Sequence, residues 1–225
     1  MTPAPPDPPA PVADADLLLL GGIVVTMDPR HTVYAEGALA VRGGRILAVG
    51  PRQEVAGRYR APRTLDAGGG LLLPGLIDGH THLPMTLFRG LADDLPLHTW
   101  LEQHVWPAEH QFLNPETVRW GARLGAAELI RSGVTTCCDM CFFEDTVAEA
   151  VEEAGLRAIL GHGLIEAGCA PADVEKKVID TERFVERWRG HGRVVPAVAP
   201  HAPTRSPRSS SSGWARWPSA RACRC

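Results

Sequence analysis

Long apolar runs are what this 225-residue chain lacks first. Leu17–Leu20 is far too short to span a bilayer. The opening stretch, Met1 to Pro11, holds no basic residue and no apolar core, so it reads as a disordered Pro-rich lead over residues 1–14 rather than a signal peptide or anchor. An excess of one charge is also missing. Lys and Arg number 23 against 26 Asp and Glu, a net charge of -3, with a pI near 6.3. Nothing here calls for nucleic acid or an anionic membrane as partner. The six cysteines have no even spacing: Cys137, Cys138 and Cys141 bunch together, Cys223 and Cys225 lie at the end, and Cys169 stands alone. A disulfide framework is therefore not expected, and a reduced, cytoplasmic protein is.

The segment from Thr204 to Cys225 contains no aliphatic residue larger than Ala, yet it carries two Trp and two Cys. Such a stretch cannot pack as helix or strand, and ordinary disordered tails are poor in aromatics. A permitted codon spelling offers another account. Read one base over from Arg208, it encodes Pro-Glu-Leu-Leu-Leu-Arg-Leu-Gly-Thr-Leu-Ala-Glu-Arg-Ala-Gly-Leu-Pro-Leu, an amphipathic helix with a Gly stop and then the start of a strand. Residues 204–225 are thus expected to be an out-of-frame tail, with the junction between Pro203 and Arg208.

The residues that are present fall into two patterns. From Ala15 to about Gly70, short strand-like runs (17–20, 23–27, 37–42 and 45–49) alternate with turn signals such as Gly43-Gly44, which predicts a β-sandwich segment over 15–70. Over 71–203 strand and helix alternate. Strands are expected at Leu72–Asp78, Val134–Met140, Arg157–Gly161 and Val194–Val198, and helices at Pro115–Arg131, Glu144–Glu153 and Ala172–Trp188. Asn114 before Pro115 is an N-cap signal, and Gly133 and Gly155 are helix stops. Alternation of this kind makes parallel βα units, so the fold class is α/β, a partial (β/α)8 TIM-type barrel of about four units. Half a barrel leaves open sheet edges, which predicts poor solubility or dependence on a partner.

The most informative stretch is Leu73-Pro-Gly-Leu-Ile-Asp-Gly-His-Thr-His82. Alternate residues of a strand share a face, so His80 and His82 project together from a strand end and form half of a site for zinc or another borderline metal. From spacing alone, one histidine packing while the other hydrogen-bonds stays open. Cys138-x-x-Cys141 is a second candidate pair, but it lies within a strand and has no matching second pair. His31, His98, His104, His110 and His191 read as surface or packing residues.

The flanks, continuing Leu-Pro-Met-Thr-Leu-Phe-Arg-Gly90 and Leu-Ala-Asp-Asp-Leu-Pro-Leu97, resemble the amidohydrolase superfamily, in its branch of methylthioadenosine/S-adenosylhomocysteine deaminases and related chlorohydrolases. The resemblance runs from about Ala15 to Pro203, and the out-of-frame helix is similar to the segment that family places after its Pro-His-Ala-Pro motif. It implies a divalent metal, zinc or alternatively iron, held by His80 and His82, with two further histidines and an aspartate from later strands that this chain does not contain. It implies that His201 is the catalytic residue touching the substrate, that Glu109 accepts from ribose hydroxyls, and that Trp100 walls the pocket. His162 falls where adenosylhomocysteine deaminases often place an arginine for the amino-acid carboxylate, and the loop 163–173 has no arginine. The implied reaction is metal-dependent hydrolysis of a non-peptide carbon–nitrogen bond, deaminating an adenine nucleoside such as methylthioadenosine. The implied partner is that small molecule, with neither nucleic acid nor membrane, and a homo-oligomer is left open for a full-length form. This chain is expected to be a truncated, inactive form. The alternatives are a non-catalytic fragment, or a hydrolase or dechlorinase of another aminated or halogenated heterocycle.

Overall fold

The structure, a computed structural model, describes residues 13–164 and 171–200. The lead before Ala13, Cys169, His201 and the whole of the 204–225 tail lie outside the described residues. The chain divides into two compact units between Pro74 and Gly75.

The first unit contains β1 (Ala13–Asp14), β2 (Leu17–Val25), β3 (Val33–Arg42), β4 (Arg45–Pro51), α1 (Arg52–Arg58), β5 (Tyr59–Arg60), β6 (Arg63–Asp66) and β7 (Leu71–Leu72). Its sheet runs β4-β3-β2-β6, with β7 also on β2, and β1 pairs separately with β5. Gly43 and Gly44 both have positive φ, 57° and 71°, the requirement of a two-residue hairpin turn whose twist matches its strands. The runs expected at 17–20 and 23–27 are one strand. Gly21, at φ 75°, absorbs a register shift between Leu19 and Gly22, so the chain bulges instead of turning. Ala15, Leu18, Ala38, Ala40 and Val55 of α1 form the core.

The second unit contains β8 (Leu76–Thr81), a 3-10 segment (Leu83–Phe88), α2 (Leu97–Trp100), a π-helical turn (Leu101–Val105), α3 (Trp106–Phe112), α4 (Pro115–Arg131), β9 (Val134–Cys141), α5 (Glu144–Ala154), β10 (Arg157–Leu164), α6 (Pro171–Trp188) and β11 (Val194–Pro200). The strands form one sheet in the order β11-β10-β9-β8, all parallel. This is a mixed α/β architecture built on parallel strands. The strand expected at Leu72–Asp78 is split in two. Leu71–Leu72 pairs with β2 and Leu76 begins β8, because Pro74 lacks the N–H a continuous ladder needs.

α4 begins where the sequence signals it. Asn114 Oδ1 accepts from the Glu116 and Thr117 amides, and Thr117 Oγ1 accepts from the Asn114 amide, a reciprocal cap. The core joins Val118, Ala122 and Ala126 of α4 to Cys137, Val147, Val151, Ala158, Leu160, Phe184 and Val194. Outside it, Arg119 bridges Glu149 and Glu153 while Arg187 bridges Asp145 and Glu149, lacing the three helices together. Among the described residues no helix is long and apolar enough to cross a membrane.

Candidate active site

The C-terminal end of β8 carries the His-x-His pair. Opposite β9, Asp78 pairs with Cys137 and Thr81 with Asp139, so Gly79 and His80 together face one residue, Cys138. This bulge re-aims the strand end beside a candidate site. The His80 and His82 rings stand edge to face with centroids 4.9 Å apart. His82 Nδ1 lies 2.5 Å from the Met140 carbonyl oxygen. A carbonyl only accepts, so Nδ1 carries a proton, and in the neutral ring that leaves the lone pair on Nε2, the arrangement a metal-binding imidazole needs. The two donors suit a borderline divalent metal. Among the described residues, however, no group of three or more His, Cys, Asp or Glu converges to hold one. The chain's described part thus offers two candidate ligands and no closed set.

Beside His82 opens a cavity of about 160 Å³ walled by Trp100, Trp106, Glu109, Met140 and Phe142. Trp100 and Glu109 stand nine positions apart, about 180° around an ideal helix at roughly 3.6 residues per turn. The intervening π turn absorbs one extra residue and reduces that to about 80°. Both side chains therefore reach one cavity. Burial pushes the Glu109 carboxyl up from its ordinary 4.5 to about 7, since the charged form loses hydration without gaining a cation.

His82, Trp100 and Glu109 are thus brought together, whereas His162 is not. On β10, Ala158, Leu160 and His162 share the face that packs on the helices, where Asp180, Asp145 and Lys177 are the charges acting on it. Gly163, one position on, faces the cavity instead. Burial lowers the His162 pKa below its ordinary value, and its Nδ1 has no hydrogen-bond partner among the described residues. A count to the strand end ignored the period of two that decides the face. His201 and loop residues 165–170 fall outside the described part.

Cys138 and Cys141 do not converge, because residues three apart on a strand point to opposite faces. Cys138 is partly exposed and Cys141 is buried. Burial holds the Cys141 thiol well above its ordinary range and pushes Cys137 up to about 12, so neither offers the thiolate a metal requires. His191 serves the fold, accepting from the Val194 amide at 3.1 Å and meeting Glu152. Sequence reasoning missed the cavity walls Trp106, Met140 and Phe142 and the buried pair Asp139 and Glu144. An acidic residue inside an apolar strand was the available signal for the pair.

The amidohydrolase family model matches residues 71–210, and a bacterial imidazolonepropionase-like composite domain matches residues 37–61. The chain is 51% identical over 190 residues to a 5-methylthioadenosine/S-adenosylhomocysteine deaminase of Syntrophobacter fumaroxidans, covering 84% of this chain and 43% of that one. It is 42% identical over 195 residues to the protein of the same name in Pelotomaculum thermopropionicum, covering 86% and 44%. An adenosine deaminase from Xanthomonas campestris with bound zinc superposes with a TM-score of 0.81 at 37% identity, over 87% of this chain and 45% of that one. The zinc complex of atrazine chlorohydrolase TrzN from Arthrobacter aurescens superposes at 0.72 with 23% identity, over 85% and 48%, and shows the fold alone. The chain spans less than half the length of these relatives. Over the greater part of its own length, the chain belongs to the amidohydrolase family.

Proposed function

We propose that this chain carries the first part of a metal-dependent amidohydrolase, a segment of composite β-sandwich followed by about four units of a (β/α)8 barrel, and that the whole enzyme hydrolytically deaminates an adenine nucleoside. The observation that carries this reading is His82, with Nδ1 capped by the Met140 carbonyl and Nε2 free beside His80, at the rim of a cavity walled by Trp100 and Glu109. The names of the relatives, which are deaminases, and the zinc in the Xanthomonas structure support it. His80 and His82 would hold the metal. Zinc, when bound, lowers the pKa of a coordinated water toward neutrality. The chain's own residues do the rest: the two indoles offer flat apolar walls to a heterocycle, and Glu109, once ionised, accepts from neighbouring hydroxyls. His201, the next residue in sequence after β11, is the proposed substrate contact. The cavity residues named here include no cation, and His162 faces away. A nucleoside without a carboxylate, such as methylthioadenosine, therefore suits the site better than adenosylhomocysteine. Unpaired buried thiols at Cys137 and Cys141 fit a reducing, cytoplasmic setting.

By itself the chain is proposed to be inactive, because two histidines are too few to fix the metal. The test is a chimera that joins residues 1–200 to the remaining sequence of the Syntrophobacter relative. With zinc it should release ammonia from methylthioadenosine, His82→Ala should abolish this, and the 225-residue chain should show none. A chimera that folds, binds zinc and leaves every adenine nucleoside untouched would defeat the reading.

A further inference from the structure

Two carboxyl groups lie in the core of the second unit with no cation among the influences on either. Asp139 on β9 is 2% exposed and Glu144, the first residue of α5, is 0% exposed. Two carboxylates so deeply buried cannot both be ionised, because each loses its hydration and repels the other. Their hydrogen bonds show how the site copes. Asp139 Oδ1 accepts from the Leu83 amide at 2.5 Å, and Glu144 Oε1 accepts from the Cys141 amide. The remaining oxygens, Oδ2 and Oε2, have no hydrogen-bond partner among the described residues, and the two carboxyls lie close enough to act on each other, so that one of them holds a proton. Glu144 keeps that proton, since burial and the adjacent Asp139 hold its pKa well above the carboxylate range.

The two backbone amides are placed with consequence. Leu83 directly follows His82, and Cys141 directly follows Met140, whose carbonyl accepts from His82 Nδ1. The acid pair thus grips the residue after each end of the His82–Met140 bond. Leu83 is itself 1% exposed. Between Cys141 and Glu144, Phe143 sits at φ 57°, a left-handed conformation that a bulky residue adopts only when its surroundings compel it. The Glu144–Cys141 bond spans that strained turn.

We propose that Asp139 and Glu144 act as one positioning unit, a clamp that holds Leu83 and Cys141 so that His82 stays in the Nδ1–H tautomer with Nε2 free for a metal. This rests on the functional reading above, since only there does the free Nε2 matter. Neither acid touches substrate or metal. Both act through the backbone.

The test uses the 225-residue chain and two variants. Glu144→Gln keeps an acceptor for the Cys141 amide and a donor for Asp139, whereas Glu144→Met fills similar volume and bonds to neither. Two-bond proton–nitrogen spectra of the histidine rings report the His82 tautomer, and competition with a chromophoric chelator reports zinc affinity. The native chain and Glu144→Gln should both show the single Nδ1–H tautomer and equal zinc affinity. Glu144→Met should show mixed tautomers and zinc binding about tenfold weaker, the usual scale for losing an outer-shell support. Hydrogen exchange in β10 and α6 should stay native throughout, which separates loss of the clamp from loss of the fold. A Glu144→Met chain that keeps the native tautomer overturns the proposal. So does a folded Glu144→Gln chain with scrambled tautomers, a result that decides the matter even if Glu144→Met fails to fold. If none of the three chains binds zinc, two histidines being too few to hold it, the tautomer pattern alone decides for or against the clamp, and the metal-site reading stands or falls with the zinc-loaded chimera.

Discussion

Glu109 illustrates how much one residue's chemistry depends on its surroundings. Nothing in Trp106-Pro-Ala-Glu109 distinguishes it from a solvated carboxylate at a helix start, yet burial lifts its pKa to about 7. A carboxyl with a raised folded pKa contributes stability that is fully present below its ordinary 4.5 and is lost as pH rises through about 7. Glu109→Gln removes that titration. Urea midpoints of the variant and the native chain should diverge in the variant's favour as pH goes from 5 to 8, with the change centred between the two pKa values. Parallel midpoints across that range would show that Glu109 is fully hydrated. Removing its carboxylate should also weaken nucleoside binding in the completed enzyme, and more so at pH 8 than at pH 5.5, because the charged form is the better acceptor.

At the scale of elements, α4 and the 3-10 segment after His82 show why a helix can require glycine. Gly normally costs an α-helix about 1 kcal/mol relative to Ala, so Gly121→Ala should stabilise if propensity ruled. A Cβ at Gly121 would instead lie 2.5 Å from the Pro84 carbonyl oxygen and 2.9 Å from Pro84 Cα. The backbone cannot yield as a flexible side chain could, and such overpacking costs about 1–3 kcal/mol. Gly57 in α1 meets nothing within 4 Å, so Gly57→Ala should gain about 0.5–1 kcal/mol. Denaturation midpoints of the two variants should therefore move in opposite directions. Asn114→Ala should cost about 1 kcal/mol through the lost cap, and it should do so without disturbing the His82 ring.

For the whole molecule, the decisive feature is that the parallel sheet of the second unit, among the described residues, has four strands and does not close on itself. Its outer strands are β8 and β11, and Ile77 on one and Val195 on the other are 74% and 46% exposed. Parallel sheets are normally covered on both faces, so these edges should make the isolated chain prone to association. The same openness bears on metal. With two imidazoles and no third ligand among the described residues, zinc retained after gentle dialysis should be well under one equivalent. Tight stoichiometric zinc that disappears in a Cys138→Ala, Cys141→Ala double variant would show that the wrong ligands had been chosen.

Local signals were enough for much of this. The bounds of α4 come from Asn114, Pro115 and Gly133, and α5 ends at its expected glycine stop. The parallel strands come from alternation of strand and helix, and the His80–His82 pairing comes from a strand's period of two. Each of these depends on neighbours within a few positions, so the order of residues determines it. Tertiary structure decided the rest, because it depends on which groups meet across the sequence. Packing of the Ala158 and Leu160 face of β10 against the helices took His162 to that side with them. A π turn, invisible to a 3.6-residue period, swung Glu109 and Trp100 onto one cavity. Packing drew Asp139 and Glu144 out of water, and desolvation then raised the pKa of both acids.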